Sequence, residues 1–288
     1  MSDRIMISGF ADEICASLDG QIEAIKKLGI FQIEMRGVNG RPLVEHSLEE
    51  VKVIKEQLDR EGITISAVGS PIGKIGITDP FEPHFELFQK TVEIAKILHT
   101  DYIRMFSFYI PDGEPAEAYE EAVFERLGRF VEYAKEQNVI LLHENEKGIY
   151  GDIAPRCAKL MEQFYGDHFK AVFDFANFVQ VGQDTLEAYE LMKPYIHYIH
   201  VKDALMATEE VVPAGEGDGH VEEILRQLLD SGYCGVLSLE PHLALFDGFA
   251  KLEKDGALEV RPMTGEEAYT IAYRALTEIL GRIEKAKE

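Results

Sequence analysis

Val139-Ile-Leu-Leu-His-Glu144 is a short apolar run that ends on a carboxylate. Three similar runs follow: Ala171-Val-Phe-Asp174, Ile196-His-Tyr-Ile-His200 and Val236-Leu-Ser-Leu-Glu240. Their last residues lie 26 to 40 positions apart, about the length of one strand–loop–helix–loop unit. Runs this short and this continuously apolar read as parallel strands buried on both faces. Acidic and imidazole groups repeated at strand ends point to one shared divalent-metal site.

The same rhythm extends towards the N-terminus. Further candidate strands are Ile5–Phe10, Phe31–Arg36, Thr64–Gly69 and Tyr102–Phe108, which with the four above make eight. Between them lie helical patterns with clear start and stop signals. Ser47-Leu-Glu-Glu50, Asp184-Thr-Leu-Glu187 and Thr264-Gly-Glu-Glu267 are capping-box patterns. Asp79-Pro80 places a cap residue before a helix-starting proline, and Gly29 and Gly62 sit where helices should stop. Eight strands alternating with eight helices predict an α/β fold, a (β/α)8 TIM barrel, as a single domain over residues 1–288. A doubly wound open sheet is the alternative, but no GxGxxG follows the first strand and no GxxxxGK[ST] occurs. The longest irregular stretch, Pro241 to Met263, follows the eighth strand on the face where barrel active sites lie. A loop of that length is more often functional than idle.

Bulk composition narrows the partners. With 29 Lys and Arg against 52 Asp and Glu, the net charge is −23, which repels nucleic acid and anionic membranes while tolerating neutral substrates and attracting cations. Acidity of this kind also serves solubility alone. Cys15, Cys157 and Cys234 are far apart and show no metal-binding spacing, as in a reducing cytoplasm. The first residues lack a basic region followed by an apolar stretch, and no apolar run approaches the ~18 residues of a membrane span. A cytoplasmic protein that can form a homo-oligomer is the expectation.

In a barrel, the C-terminal strand ends converge on one cavity, so Glu144, Asp174, His200 and Glu240 approach one point from different strands. Taken singly, an acid at a strand end is more often a helix cap or ion-pair partner. A histidine in an apolar run is more often a core residue. Four together on strands five to eight favour a metal, and three carboxylates with one imidazole suit Mn²⁺ first, with Mg²⁺, Co²⁺ or Zn²⁺ as alternatives. Because side chains at i and i+2 share a face, Glu146 should follow Glu144 inward and Lys202 should follow His200. Lys202 could neutralise a developing oxyanion or merely pair with Asp203 or Glu240. His143 should face the strand–helix layer. Asp12, Glu13, Glu34, Arg36, Ser70, Arg104, Ser107 and Asn177 sit at strand ends, where they could bind a substrate or act as caps and ion pairs. Pro213-Ala-Gly-Glu-Gly-Asp-Gly219 reads as a flexible rim with a helix starting at Asp218. Its acidic residues argue against a phosphate cradle.

The phrases Gly9-Phe-Ala-Asp-Glu13, His143-Glu-Asn-Glu-Lys-Gly148, Phe173-Asp-Phe-Ala-Asn177, His200-Val-Lys-Asp203, Gly215-Glu-Gly-Asp-Gly219 and Leu239-Glu-Pro241 resemble the sugar phosphate isomerase/epimerase family of xylose isomerase-like barrels. The resemblance spans nearly the whole chain and implies metal ligands at Glu144, Asp174, His200 and Glu240, the set already drawn from spacing. It implies a metal-dependent isomerase or epimerase of carbohydrate metabolism, acting on a sugar or cyclitol through an enediolate; Glu144 and Glu240, from strands on different sides of the cavity, are the natural acid/base pair. Glu146, Asn177, Lys202, Arg104 and Arg36 are the expected substrate-binding residues. Ketose 3-epimerases of this group often carry a histidine three residues after the aspartate and an arginine six after the histidine. Asn177 and Met206 stand there instead. The group also includes inosose dehydratases, which makes dehydration of inosose-type ketones an alternative, as is a non-catalytic sugar-binding protein. The histidine-rich three-metal set of its DNA-repair endonucleases is missing here.

Overall fold

The computed structural model describes residues 5–244 and 263–287. Eight parallel strands form one sheet: β1 (Met6–Gly9), β2 (Gln32–Met35), β3 (Thr64–Gly69), β4 (Tyr102–Met105), β5 (Ile140–Glu144), β6 (Phe169–Asp174), β7 (Ile196–Val201) and β8 (Val236–Leu239). Around the sheet the order is β1-β8-β7-β6-β5-β4-β3-β2. β1 and β2 lie side by side without a hydrogen-bonded register, so the barrel is nearly closed. Each expected strand is present. β4 is shorter than expected, because the amides of Phe106 and Phe108 turn to the carbonyls of Ile72 and Gly73 in the loop after β3.

Helices cover the outside: α1 (Leu18–Lys27), α2 (Leu48–Glu61), α3 (Phe81–Leu98), α4 (Glu120–Gln137), α5 (Ala154–Phe164), α6 (Phe175–Gln180), α7 (Thr185–Met192), α8 (Val221–Asp230) and α9 (Gly265–Lys285). The short α6 departs from strict alternation. It starts directly from β6 because the Asp174 carboxylate accepts the amide N–H of Asn177 at 2.8 Å. The boxes at Ser47/Glu50 and Thr264/Glu267 are reciprocal, whereas Asp184 only accepts from Glu187 N–H. Gly29 and Gly62 have φ of +74° and +69°, which lets the chain leave α1 and α2. Two expected starts differ. Asp79 accepts from Gly76 N–H rather than capping α3, and α8 begins at Val221 while Asp218 instead accepts from Met206 N–H.

The barrel interior explains the site. Ala67, Leu142, Val172, Tyr198 and Val236 form an apolar plug from five strands. Two residues further along, on the same inward face, come Glu144 above Leu142, Asp174 above Val172, His200 above Tyr198, and Ser238 then Glu240 above Val236. The parallel register aligns Asp174 with His200 and His200 with Ser238. No helix among the described residues is long and apolar enough to cross a membrane, and the three cysteines are free thiols. Most of the Pro241–Met263 loop lies outside the described residues.

Candidate metal and active site

Glu144, Asp174, His200 and Glu240 are all buried, and one donor atom from each lies within 4.8 Å of the others. Opposite ligands of a dication at ~2.1 Å stand about 4.2 Å apart, so this spread is close to one coordination sphere. Nδ1 of His200 faces the three carboxylates: 2.8 Å from Glu144 Oε1, 3.7 Å from Glu240 Oε2 and 3.9 Å from Asp174 Oδ2. Its Nε2 turns the other way and donates to Glu34 at 3.1 Å. Ser238 Oγ donates to the same Glu34 oxygen at 2.6 Å. Glu34 therefore keeps the proton on Nε2, so that a cation displacing the proton that Nδ1 shares with Glu144 would find Nδ1 as its donor atom.

Two buried oxygens, Glu144 Oε2 and Asp174 Oδ2, have no hydrogen-bond partner. Buried carboxylate oxygens normally find one. The carboxylates of Glu13, Glu34, Glu144, Asp174 and Glu240 also outnumber the cations Arg36, Arg104 and Lys202 packed among them. Orphaned oxygens, excess negative charge and hard donors all fit a divalent cation.

The titration of the cluster follows from the same contacts. Burial pushes Asp174 up, against the pull of Lys202. Burial acts likewise on Glu144, but His200 and Arg104 more than reverse it and hold it below the usual carboxylate range. Glu240 is driven far down against its burial, chiefly by Lys202 and His242. His200 is raised well above an ordinary imidazole because Glu144 and Glu34 outweigh its burial. Lys202 is raised by Asp174 and Glu240 in spite of its own burial.

The expected substrate-binding residues take different places. Lys202 does point inward, with Nζ 3.1 Å from Glu240 and 3.3 Å from Asp174. Arg36 bonds Asp12, Glu13 and Glu240, clamping β1, β2 and β8 together. Arg104 lies 3.4 Å from Glu144 and 3.9 Å from Glu34. Asn177 donates to Glu144 Oε1 at 3.3 Å and to the Asn145 carbonyl at 2.8 Å, so it holds Glu144 in place. Glu146 does not follow Glu144 inward. β5 stops at Glu144, the alternation stops with it, and Glu146 pairs with Lys74 at 2.7 Å in the loop. Ser70 and Ser107 serve turns, through the Arg104 carbonyl and the Gly151 amide. His143 packs near Phe169, and burial lowers it to about 4, which fits a structural role.

Several residues escaped the sequence reading. Asn145 ties β5 to β6 by bonding both the amide and the carbonyl of Asp174. Phe10 lies under the guanidinium groups of Arg36 and Arg104 and edge-on to His200. His242 follows β8 and approaches Glu13 and Glu240 at 3.4 Å. The only signal for Asn145 was its place between two glutamates. Lys74 and His242 sit in loops, where periodicity says nothing.

Similar proteins share this architecture. A curated relative, the 3-dehydroshikimate dehydratase of Bacillus anthracis, is 20% identical over 233 residues, covering 75% of this chain and 83% of that protein. The solved structure of an L-ribulose 3-epimerase superposes with a TM-score of 0.76 at 15% identity, covering 98% of this chain and 96% of the other. A xylose isomerase-like TIM barrel protein from Mycobacterium smegmatis in complex with magnesium gives 0.66 at 16% identity, covering 96% and 97%. At these identities the structural likeness speaks to the fold alone. The xylose isomerase-like TIM barrel pattern matches residues 22–256, most of the chain, and the protein belongs to that family.

Proposed function

We propose that this protein is a divalent-metal-dependent isomerase or epimerase that removes a proton from the carbon next to a carbonyl, with Glu144 and Glu240 as its acid/base pair. The observation that carries this reading is the convergence of Glu144, Asp174, His200 and Glu240 with two orphaned carboxylate oxygens. Mn²⁺ suits a set of three carboxylates and one imidazole. When bound, a dication would polarise a substrate carbonyl and acidify the neighbouring C–H.

The chain's own residues supply the proton transfers. Glu240 is kept ionised by Lys202, and an ionised carboxylate is what a base must be. Glu144 stands on β5, with β6 and β7 between it and β8, so the two carboxylates reach a substrate from different walls. Lys202 lies where an ammonium can balance charge growing on a substrate oxygen. A proton returned to the other face of the same carbon gives an epimer. One returned to the neighbouring carbon gives the isomer. Loss of a β-hydroxyl gives dehydration. The relative named as a dehydratase supports this last outcome as a second reading, for inosose-type ketones, and Asn177 and Met206 in place of the epimerase histidine and arginine support it too.

The test is C–H exchange by proton NMR. The Mn²⁺-loaded protein in D₂O is given a panel of ketoses, aldoses, inososes and hydroxylated oxo-acids. Metal-dependent exchange next to a carbonyl is expected, together with a loss of ~10²-fold or more in Glu240→Gln at an unchanged fold. Near-normal exchange in that variant would sink the acid/base assignment. Binding without any exchange would favour a non-catalytic sugar binder.

A further inference from the structure

A cavity of about 470 Å³ opens at the mouth of the barrel. Arg36 and Arg104 are both part of its wall and lie 3.1 Å from Glu240 and 3.4 Å from Glu144, so it leads onto the site above. Its charge is opposite to that of the molecule. Arg36, Arg41, Lys74 and Arg104 line it against Asp12 and Glu45, in a chain of net charge −23. Much of the remaining wall is aliphatic, with Val38, Pro42, Val44 and Leu87, and among the described residues its side-chain hydroxyls are those of Ser70 and Tyr109. The Ser70 hydroxyl is already given to the Arg104 carbonyl at 2.5 Å. A neutral sugar carries a hydroxyl on almost every carbon and needs a matching set of polar partners. This wall offers charged groups instead, with four cations against two carboxylates.

The four cations differ in what already holds them. Arg36 is bonded to Asp12, Glu13 and Glu240, Arg41 to Glu50, and Lys74 is paired with Glu146. Arg104 is 3% exposed, yet its guanidinium makes no hydrogen bond among the described residues, and its Nε is buried without a partner. Its carboxylate neighbours stand at 3.4 and 3.9 Å, at ion-pair range only. The rings of Phe10 and Phe106 lie against it, with centroids 5.2 and 4.7 Å away. Aromatic rings fix the plane of a guanidinium and leave its edge for bonding, and that edge matches a carboxylate in a two-point contact.

We propose that the substrate is a carboxylic acid, a hydroxylated oxo-acid rather than a neutral sugar, whose carboxylate is taken by Arg104. This rests on the reading of Glu144, Asp174, His200 and Glu240 as the reacting centre. One guanidinium edge without hydrogen bonds among the described residues offers a two-point contact to one carboxylate. A phosphate dianion would call for further free donors that the described part of the wall does not present.

Two matched sets of probes test it by calorimetry on the Mn²⁺-loaded protein of residues 1–288. One is glucuronate, glucose and glucose 6-phosphate; the other is quinate, myo-inositol and myo-inositol 1-phosphate. In at least one set the acid should bind about 10-fold or more tightly than its neutral and phosphorylated counterparts, in line with one charge-assisted contact. Arg104→Gln should abolish that preference. Arg104→Lys, which keeps the charge and loses the fork, should retain part of it. Equal or tighter binding of the neutral compounds, tighter binding of the phosphate esters, no binding of either acid at millimolar concentration, or an unchanged preference in Arg104→Gln would each overturn the proposal. Failure of the reacting-centre reading looks different. The acid would still bind through Arg104, but Glu240→Gln would leave C–H exchange intact.

Discussion

His200 can offer Nδ1 to a cation only while Nε2 keeps its proton, and Glu34 is the group that holds that proton. Glu34 is itself fixed by Ser238 and neighbours Arg104. Replacing it with glutamine removes the charge that favours the Nε2–H form while keeping the shape. Glu34→Gln should weaken Mn²⁺ affinity by about 10-fold or more, as outer-shell changes at metal sites do. Competition with a metallochromic indicator would show this, and unaltered affinity would mean that His200 does not need Glu34. In the sequence, Glu34 was one of several polar residues at strand ends. Its partner is 166 positions away, and a local pattern carries no trace of such a contact.

The loop after β7 shows what an element can hide. The glycine-rich stretch Gly215–Gly219 read as a flexible rim unsuited to phosphate. It is instead a cradle for an anion inside the chain. The amides of Gly215, Gly217 and Gly219 all donate to the Asp203 carboxylate at 2.8 to 3.1 Å, joined by Ala204 N–H at 2.9 Å. Glycine is required at 217 because a Cβ there would lie 2.4 Å from the Ala204 carbonyl oxygen and from Asp203 Oδ1. This arrangement uses Asp203 fully and explains why Lys202, its neighbour, pairs with Glu240 and Asp174. Asp203→Ala leaves those amides without their acceptor and should cost roughly 2–3 kcal/mol, read from urea unfolding. A change under ~0.5 kcal/mol would show that the loop does not depend on the carboxylate.

At the scale of the molecule, stability should answer to both pH and metal. His84 on α3 accepts the Gly73 amide N–H through Nε2 at 2.7 Å, and burial, aided by Arg126, lowers its pKa to about 4. Between that value and its ordinary 6.5, the unfolded chain binds a proton at this residue and the folded chain does not. Stability is therefore fully present above pH 6.5 and lost as pH falls towards 4. From pH 7 to pH 5 the contribution is on the order of 1–2 kcal/mol, and His84→Gln should flatten the acid side of the Tm profile. An equally steep profile in the variant would assign the slope elsewhere. Metal should act in the other sense. Cation at about 100-fold over its Kd adds ~2.7 kcal/mol, so chelation should lower Tm by about 4 °C. An identical Tm with chelator and with excess Mn²⁺ would count against the metal site.

The barrel was legible in the sequence because its signals are local. Short apolar runs, capping boxes and glycine stops each act within a few residues, and eight strands of such length have few other ways to bury both faces. The four donors at strand ends were legible for the same reason, since the barrel sends every inward strand end to one place. Glu146 failed that rule because its strand stops two residues earlier. Only the tertiary structure decided who holds whom. Arg36 meets Glu240 across 204 positions, and the Arg104 guanidinium comes to rest against two rings beside Glu144 with no hydrogen bond among the described residues. Net charge is a sum over the whole chain, whereas the charge of a cavity depends on which side chains its walls bring together. Barrel closure therefore places cations at the mouth of an acidic protein.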